Sequence, residues 1–515
     1  MFNILTDPTI RAKHNNGAID KLTLPQVYAA LMADDIAAFP ALRPHQKHPG
    51  LAFFTQLGAI ATHKAELPEP PEDVDEWQQI IRSLTLQEEA WHLFVEDITK
   101  PAFMQPPASS TEREKDYKSV ITTPDELDML VTAKNHDLKA SVGAQGDVDD
   151  WIFALITLQT MDGNPGRNPG IARMNGAYGN RPAFSLAPMG GIGAQVNRDI
   201  TLLLGHRTTL TREYPMTEDG TGLLWTREWD GTRVEALTLD KLDPLFIEIC
   251  RLIRLRNDDG IHAIKATAKY TRIEAKAMKG MVGDPWTPVN RKENKSLTLG
   301  LGGFTYKRIA EYLIDWDHPV LLKQTRDERR SSNDMTLVAR AMVRGQGKSE
   351  GYYERTITLR PRTVARLNAQ ELGTIAKERI EDVGKVQRIL RHAVSVFAAG
   401  GGDSIADEHR VRANPWANRI DDIVDATFFD DLQDEFEKDA SERQAIRDKW
   451  LCNDEDGNGV INHARKILHE AEDTLPCNEM RRYKARTRAE GVFEGRIRNS
   501  NGGFPHLFRQ IKGKG

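Results

Sequence analysis

The chain has 515 residues, 39% of them apolar, with 70 Lys plus Arg against 75 Asp plus Glu for a formal net charge of −5. At roughly 150 residues per domain that is room for about two to four domains, and the composition excludes a globally disordered chain, a collagen-like repeat and a membrane-embedded protein. Three cysteines, Cys250, Cys452 and Cys477, include no CxxC pair, which excludes a disulfide framework and points to a reducing compartment.

The first residues, MFNILTDPTIRA, place Asp7 and Pro8 where a signal peptide needs an unbroken apolar run. No stretch approaches the ~18 apolar residues of a membrane span. The expectation is a soluble cytoplasmic protein with no membrane partner. FNIL and AIDKLTL flank Asn15-Asn16-Gly17 and read as a β-hairpin, because Asn-Gly supplies the positive φ angles of a tight turn. Thr23 and Gln26 form a capping-box signature for a helix, and Phe53, Phe54, Leu57 and Ile60 mark one face of another over 51–64. Thr85 to Glu88 reads as the start of a helix containing Trp91 and Phe94, residues 101–115 as an exposed connection, and Thr123-Pro124 as a further helix start. Residues 163–193 are dense in glycine, GNPGRNPGIARMNGAYGNRP and then APMGGIG, which predicts a long irregular segment rather than a packed helix. Beyond Arg360-Pro361-Arg362 the texture becomes helical. Ile380, Val383, Val386, Leu390, Val394 and Phe397 recur at helical spacing before Gly400, a second helix follows Pro415, and more cover 441–451, 460–472 and 478–498. The pattern predicts an α+β protein, with a mixed α/β domain over 1–363 followed by a C-terminal four-helix bundle over 364–515.

The near-neutral total hides local excesses. Residues 251–308 hold 13 basic against 5 acidic residues, residues 479–515 hold 10 against 3, and residues 403–439 hold 4 against 12. Basic patches on a mildly acidic chain suit a protein that meets phosphate backbones at chosen places. Enzyme signatures are missing. There is no GxxxxGK[ST], HExxH or GxSxG, and Gly191-Ile192-Gly193 lacks the third glycine of a dinucleotide fingerprint. Asp454 to Gly459 opens like a calcium loop, but its twelfth position is Arg465. Cys452, His463, His469 and Cys477 fit no compact zinc spacing. The chain reads as a binder without catalysis, metal or cofactor.

Three further segments bear on binding. Lys265, Lys269, Arg272, Lys276 and Lys279 recur every three to four residues, a stripe on a helix or a splayed set on an extended chain. After them GDPWTP forces a turn with an exposed-looking Trp286, and Arg291, Lys292 and Lys295 follow. Val343 to Ser349 lies between two strand-like runs and predicts a hairpin tip that projects Gln346 and cations. Thr132 to Lys139 is polar, with Gly143 and Gly146 beyond it.

In order along the chain, FNILTDPTIRA, PAFMQ (101–105), TAKNHDLK (132–139), the glycine-rich stretch after ALITLQ (154–159), GDPWTPV (283–289) and NPWANRIDDI (414–423) resemble the CasA-type large subunit of the type I-E CRISPR Cascade complex. The resemblance implies a non-catalytic subunit of an RNA-guided complex with that same domain order. Such a subunit recognises the protospacer-adjacent motif (PAM) of double-stranded DNA from the minor-groove side, starts unwinding and R-loop formation, and helps recruit a helicase-nuclease. Its partners would be target DNA, CRISPR guide RNA and the other Cascade subunits. By position, the family's glycine loop falls on Asn168, Gly170, Arg173, Asn175 and Gly176. Its lysine finger falls among Lys265, Lys269, Lys276 and Lys279, with Lys276 or Lys279 favoured by the spacing to GDPWTP. Its wedge falls on Gln346, Gly347 and Lys348, and its loop near the guide end and the PAM on Lys134, Asn135, His136 and Lys139. Pro169, Arg173 and Met174 make this glycine loop bulkier than a plain glycine run. Only Cys250 lies where some relatives carry a cysteine cluster, so no metal is expected there. The basic tail 479–515 is the better candidate for DNA or guide RNA, and the acidic stretch 403–439 is expected on solvent or against a basic partner. The alternative to this reading is a nucleic-acid-binding scaffold outside the CRISPR pathway.

Overall fold

The structure, a computed structural model, describes residues 2–128, 146–161, 182–232, 237–270, 272–273, 275–345, 348–453 and 456–512. The chain divides into two units, Met1–Phe304 with Asp315–Pro361, and Thr305–Ile314 with Arg362–Gly515. The fold is α+β, mixed in the first unit and helical in the second. Among the described residues no helix is long and apolar enough to cross a membrane.

In the first unit β1 (Ile10–His14) pairs antiparallel with β2 (Ile19–Leu22) and with β3 (Ile36–Ala38). The turn holds Gly17 at φ +90°, where a side chain would be strained. Helix α1 (Leu24–Met32) opens on the capping box, Gln26 N donating to Thr23 Oγ1 at 3.3 Å and Thr23 N to Gln26 Oε1 at 2.9 Å. Helices α2 (Lys47–Lys64) and α3 (Val74–Arg82) follow, then β4 (Ser119–Ile121), the single turn α4 (Pro124–Leu127) and α5 (Val148–Met161). Next come β5 (Ala183–Ala187), α6 (Ile192–Glu213), β6 (Thr221–Leu223), β7 (Leu242–Ile247), β8 (Leu252–Asn257) and β9 (Ile261–Ala266). The small hairpin β10 (Val289–Asn290) and β11 (Lys295–Ser296) precedes the long hairpin β12 (Met335–Gly345) and β13 (Lys348–Leu359). Helix α2 is buried from His48 to Thr62 and packs against α3, α5, α6 and β7, so it is the axis of this core. Phe39, Phe53, Phe54, Phe103 and Phe153 meet there, and the Tyr28 ring stacks on Trp77 at 4.3 Å.

The second unit is built from α7 (Tyr306–Asp315, belonging to it through Ile314), α8 (Gln370–Ala398), α9 (Asp407–Phe436), the shorter α10 (Ala440–Leu451), α11 (Val460–Thr474) and α12 (Glu479–Ile497). Helix α8 packs on α9, α11 and α12, and its Val383, Val386, Leu390, Val394 and Phe397 are buried. From α9 come Ile420, Val424, Phe428 and Leu432; from α11 Ile461, Ile467 and Leu468; and from α12 Phe493 and Ile497. Tyr306 of α7 donates from its hydroxyl to Asp421 at 2.8 Å and from its main chain to Asp425 at 2.6 Å, which ties α7 to α9.

Several local expectations change. FNIL is not the first strand of the hairpin: Ile4 and Leu5 are buried in a turn where Leu5 N donates to Asn3 Oδ1 at 2.9 Å. The stretch from Thr85 forms only a short 3-10 turn, Glu88–Trp91, because its main chain is claimed by neighbours. Ile4 N donates to Trp91 O, Leu93 N to Phe2 O and Phe103 N to His92 O, which leaves no helix ladder to build. Residues 101–108 are buried rather than an exposed connection. Gly193 lies inside α6, where a Cβ would sit 2.2 Å from Leu31 O, so here glycine serves close helix packing. Helix α9 begins before Pro415 and runs through it; the proline removes a single main-chain donor from a helix held by its apolar face.

Candidate nucleic-acid interface

Three of the motifs behind the resemblance turn out to be scaffolding. In PAFMQ, Gln105 is fully buried. It donates from Nε2 to Leu93 O at 2.9 Å and Phe103 O at 3.0 Å, and accepts from Leu255 N at 2.7 Å. In ALITLQ, Gln159 of α5 does the same work, donating to Met104 O and Arg251 O and accepting from Cys250 N and Arg251 N. In GDPWTPV, Trp286 is 3% exposed, which corrects its exposed-looking sequence context. Its carbonyl accepts from Phe184 N at 2.9 Å, and Thr287 Oγ1 donates to Pro182 O at 3.0 Å. A buried amide that satisfies several main-chain groups at once fixes loops that have no ladder of their own.

These contacts hold the ends of the glycine-rich segment. Its Asn168, Gly170, Arg173, Asn175 and Gly176 lie outside the described residues. Its upstream root is the buried end of α5, clamped by Gln159, and its downstream root is β5, clamped by Trp286 and Thr287. Strand β5 pairs antiparallel with β12, Ala183 opposite Arg340, in a sheet of order β13-β12-β5. The register places the downstream root at the same end of the sheet as the tip of the β12–β13 hairpin. Five residues separate Arg340 from Gly345, about 17 Å at ~3.4 Å per residue.

At that tip Gly345 pairs with Lys348, and Gln346 and Gly347 between them lie outside the described residues. A register shift between Val343 and Arg344 marks a bulge just below, a device that re-aims a hairpin end. The stem is stiffened on one face by polar contacts, Tyr352 Oη donating to Glu354 at 2.5 Å and Arg340 pairing with Glu354 at 3.4 Å. Burial and the Glu354 carboxylate push the Tyr352 hydroxyl well above its usual range, so it stays a donor.

Lys134, Asn135, His136 and Lys139 also lie outside the described residues. Their segment leaves α4 beside buried Asp128, which is 2.8 Å from His45 Nε2 and accepts from Gln46 Nε2 at 2.5 Å. It rejoins the fold at the start of α5, where Arg11 bonds Asp149 at 2.9 Å.

The lysine run forms no helical stripe. Lys265 sits in β9 opposite Ser119 of β4 and Ile253 of β8. Arg272 is buried and donates to Leu224 O at 2.6 Å and Arg227 O at 2.7 Å, and burial lowers its pKa to about 9. Lys276 opens a 3-10 turn, Lys276–Met278. Lys279 is exposed with φ +49°, and its carbonyl accepts from Ser296 N at 3.1 Å and Oγ at 3.2 Å. Arg291 pairs with Glu213 at 2.6 Å, and Lys295 pairs with Glu293.

Sequence separation hides what the β4–β9 pairing assembles. Lys265 and Lys269 line an open cleft of about 450 Å³ together with Arg113, Lys118, Tyr117, Asp116 and Asp230. Arg113 pairs with Asp116 at 2.8 Å and approaches Asp230 at 3.8 Å. Burial pushes the Tyr117 hydroxyl up and keeps it neutral. Arg113, Tyr117 and Lys118 carry no motif, and about 150 residues separate them from Lys265; only strand pairing brings them together.

A mixed α/β unit whose long hairpin and glycine-segment root share one sheet, followed by a helical bundle, defines the class of protein. No family model matches the sequence, and no curated protein matches it. Solved structures do match. CRISPR-associated protein Cse1 from Acidimicrobium ferrooxidans is similar over 96% of this chain and 97% of its own, with TM-score 0.62 and 16% identity. CasA (Cse1) from Thermus thermophilus is similar over 96% and 98%, with TM-score 0.62 and 14% identity. A chain of a CRISPR RNA-guided surveillance complex is similar over 96% and 99%, with TM-score 0.60 and 14% identity. The chain therefore has the Cse1/CasA fold over nearly its whole length, the fold that the CasA-type resemblance implies.

Proposed function

We propose that this chain is the large subunit of a type I-E Cascade complex, reading the PAM of double-stranded DNA from the minor groove and starting strand separation without catalysing any reaction. The observation that carries the reading is the shared sheet. The downstream root of the glycine-rich segment and the Gln346 hairpin project from the same end of β13-β12-β5, each on a buried base. A segment rooted on the same rigid platform as a hairpin tip suits a reader and a wedge acting on adjacent base steps.

The minor groove is about 6 Å wide and offers mainly the acceptors N3 of adenine and O2 of thymine. Main chain of Gly170 and Gly176, without side chains, and the slender ammonium of a lysine fit that slot. Lys279 is exposed on a main chain pinned to Ser296, which favours it as the finger; Lys276, Lys265 and Lys269 remain its competitors. Gln346, flanked by Gly347 and Lys348, would enter the neighbouring step, where unstacking costs a few kcal/mol and contacts to the opened strands offset it. In this reading residues 1–363 do the recognition and residues 364–515 form the supporting bundle. Lys134 to Lys139 would lie near the guide RNA end, and the assembled complex would recruit a helicase-nuclease.

The test is strand opening by the reconstituted complex with Gln346→Ala. Opening of a fully paired target should slow by at least tenfold, while binding to a target already melted next to the PAM is unchanged. Equal loss on both targets would contradict the wedge, and full activity without a guide RNA would favour a scaffold outside the CRISPR pathway.

A further inference from the structure

Helix α10 is the least buried helix of the second unit. Of its 12 residues only Leu451 is buried, whereas α11 buries Val460, Ile461, Ala464, Ile467, Leu468 and Ala471. Ile446 and Trp450, the other large apolar side chains of α10, are half-buried. Charged pairs do much of the holding. Arg443 pairs with Glu371 of α8 at 2.6 Å, and Glu371 in turn with Arg366 at 3.1 Å. Arg447 reaches Glu378 of α8 and donates from Nε to Glu435 of α9 at 3.0 Å. Glu371 and Glu378 are 37% and 47% exposed, so water and salt reach both pairs.

Two further observations concern the seat of α10. Open space flanks it. A groove of about 710 Å³ runs between α8 and α10, with Thr374, Ile375, Ala440 and Gln444 on its walls. A second, of about 580 Å³, separates α10 from α9 and α11, between Val424, Ile446, Trp450 and Val460. A helix packed into a core leaves no such gaps, because its ridges fill the grooves of its neighbours to near-crystalline density. Beneath α10 the Trp450 ring lies 4.3 Å from the guanidinium of Arg379. Arg379 is fully buried and donates from Nε to Glu435 at 2.7 Å, but neither Nη1 nor Nη2 has a hydrogen-bond partner among the described residues. The ring face compensates for that only in part. The seated state therefore keeps dry two donor groups that water would satisfy if α10 left.

We propose that α10 is a detachable strap, seated by the ion pairs of Arg443 and Arg447 rather than by apolar packing, and that it lifts from α8 and α9 while the other helices of the unit stay folded. Such local opening is drawn from the parts of a fold with the fewest buried apolar contacts. Lifting joins the two grooves into one surface on which Ile375, Val424 and Arg379 become accessible. A helix of this length is marginal in water by itself, so α10 loses its main-chain hydrogen bonds when it leaves its seat. Partly exposed ion pairs weaken as salt rises, which makes the open fraction a function of ionic strength.

The test is amide hydrogen exchange of the full chain, read by mass spectrometry at about 0.1 M and about 1 M NaCl, between which the screening length falls from about 10 Å to about 3 Å. At the lower salt α10 should exchange roughly tenfold faster than α11 or more, and at the higher salt that ratio should widen by about threefold or more. The double variant Glu371→Gln, Glu378→Gln should bring α10 to the high-salt rate already at the lower salt and remove most of the salt response. Both carboxylates lie at the surface of α8, so the variant should leave the exchange of α11 unchanged. The proposal is overturned if α10 is as well protected as α11, if salt leaves the ratio of the two unchanged, if α11 opens together with α10, or if the double variant exchanges like the wild type.

Discussion

Residues 251–308 and residues 479–515 carry nearly the same positive excess, and the fold treats them differently. In the second stretch α12 lies beside acidic neighbours of its own unit. Arg482 donates to the main chain of Glu472 and Asp473, Arg486 pairs with Glu472 and Asp473, and Arg488 pairs with Asp403. In the first stretch the arginines are likewise consumed, Arg254 and Arg272 by buried carbonyls and Arg256 by Glu114. Lys265 and Lys269 line an open cleft, and Lys279 is exposed. A count of basic residues therefore overstates the charge offered to a polyanion. Arginine, with a planar fork of five donors, is drawn into internal carbonyls and carboxylates, whereas lysine more readily stays at the surface.

That contrast can be broken from several sides. The largest expected effect is structural: Trp286→Ala should destabilise the first unit by about 3–5 kcal/mol, read as a lowered urea midpoint, because Trp286 holds β5 and the core beside it. A loss under 1 kcal/mol would mean that the buried indole adds little to that core. Next, the double variant Lys265→Ala, Lys269→Ala should weaken binding of the reconstituted complex to DNA and reduce the slope of log affinity against log salt by up to about 2. The matching double variant Arg482→Gln, Arg486→Gln should leave that slope unchanged and lower the stability of the helical unit by about 1 kcal/mol. Reversal of the two outcomes would make the basic tail, rather than the cleft, the phosphate-binding surface. The smallest effect on stability is expected at Lys279, where φ is +49°. Lys279→Gly relieves a left-handed main chain and should raise stability by up to about 1 kcal/mol, while PAM-dependent affinity falls by about 1–3 kcal/mol if this lysine meets a base edge. Stability and recognition would then move in opposite directions in one variant.

Much of the fold is legible in the sequence. The Thr23–Gln26 capping box, the Asn15-Asn16-Gly17 turn and the apolar spacing of α8 are local signals, and each forms the element it predicts. What fails is governed by partners far away in sequence. The Thr85 start yields to main-chain bonds with residues 2–4 and 103, and the expected exposed connection over 101–115 contains a buried glutamine that serves main-chain groups up to 150 residues away. The candidate interface divides the same way. The hairpin around Gln346 follows from strand periodicity, but its place on one sheet with the root of the glycine segment depends on β5–β12 pairing, for which no local signal exists. The lysine run is visible as composition; its division into cleft, surface and buried members is set by tertiary structure.

The central claim is most directly tested by binding selection with the reconstituted complex on targets that share one guide-matched stretch and carry randomised flanking bases. The account predicts strong enrichment of a short motif on one side of the stretch, and loss of that enrichment when Gly170 and Gly176 are replaced by Val while guide pairing to single-stranded target persists. Recovery of bound targets with flanks as random as the input library would contradict it.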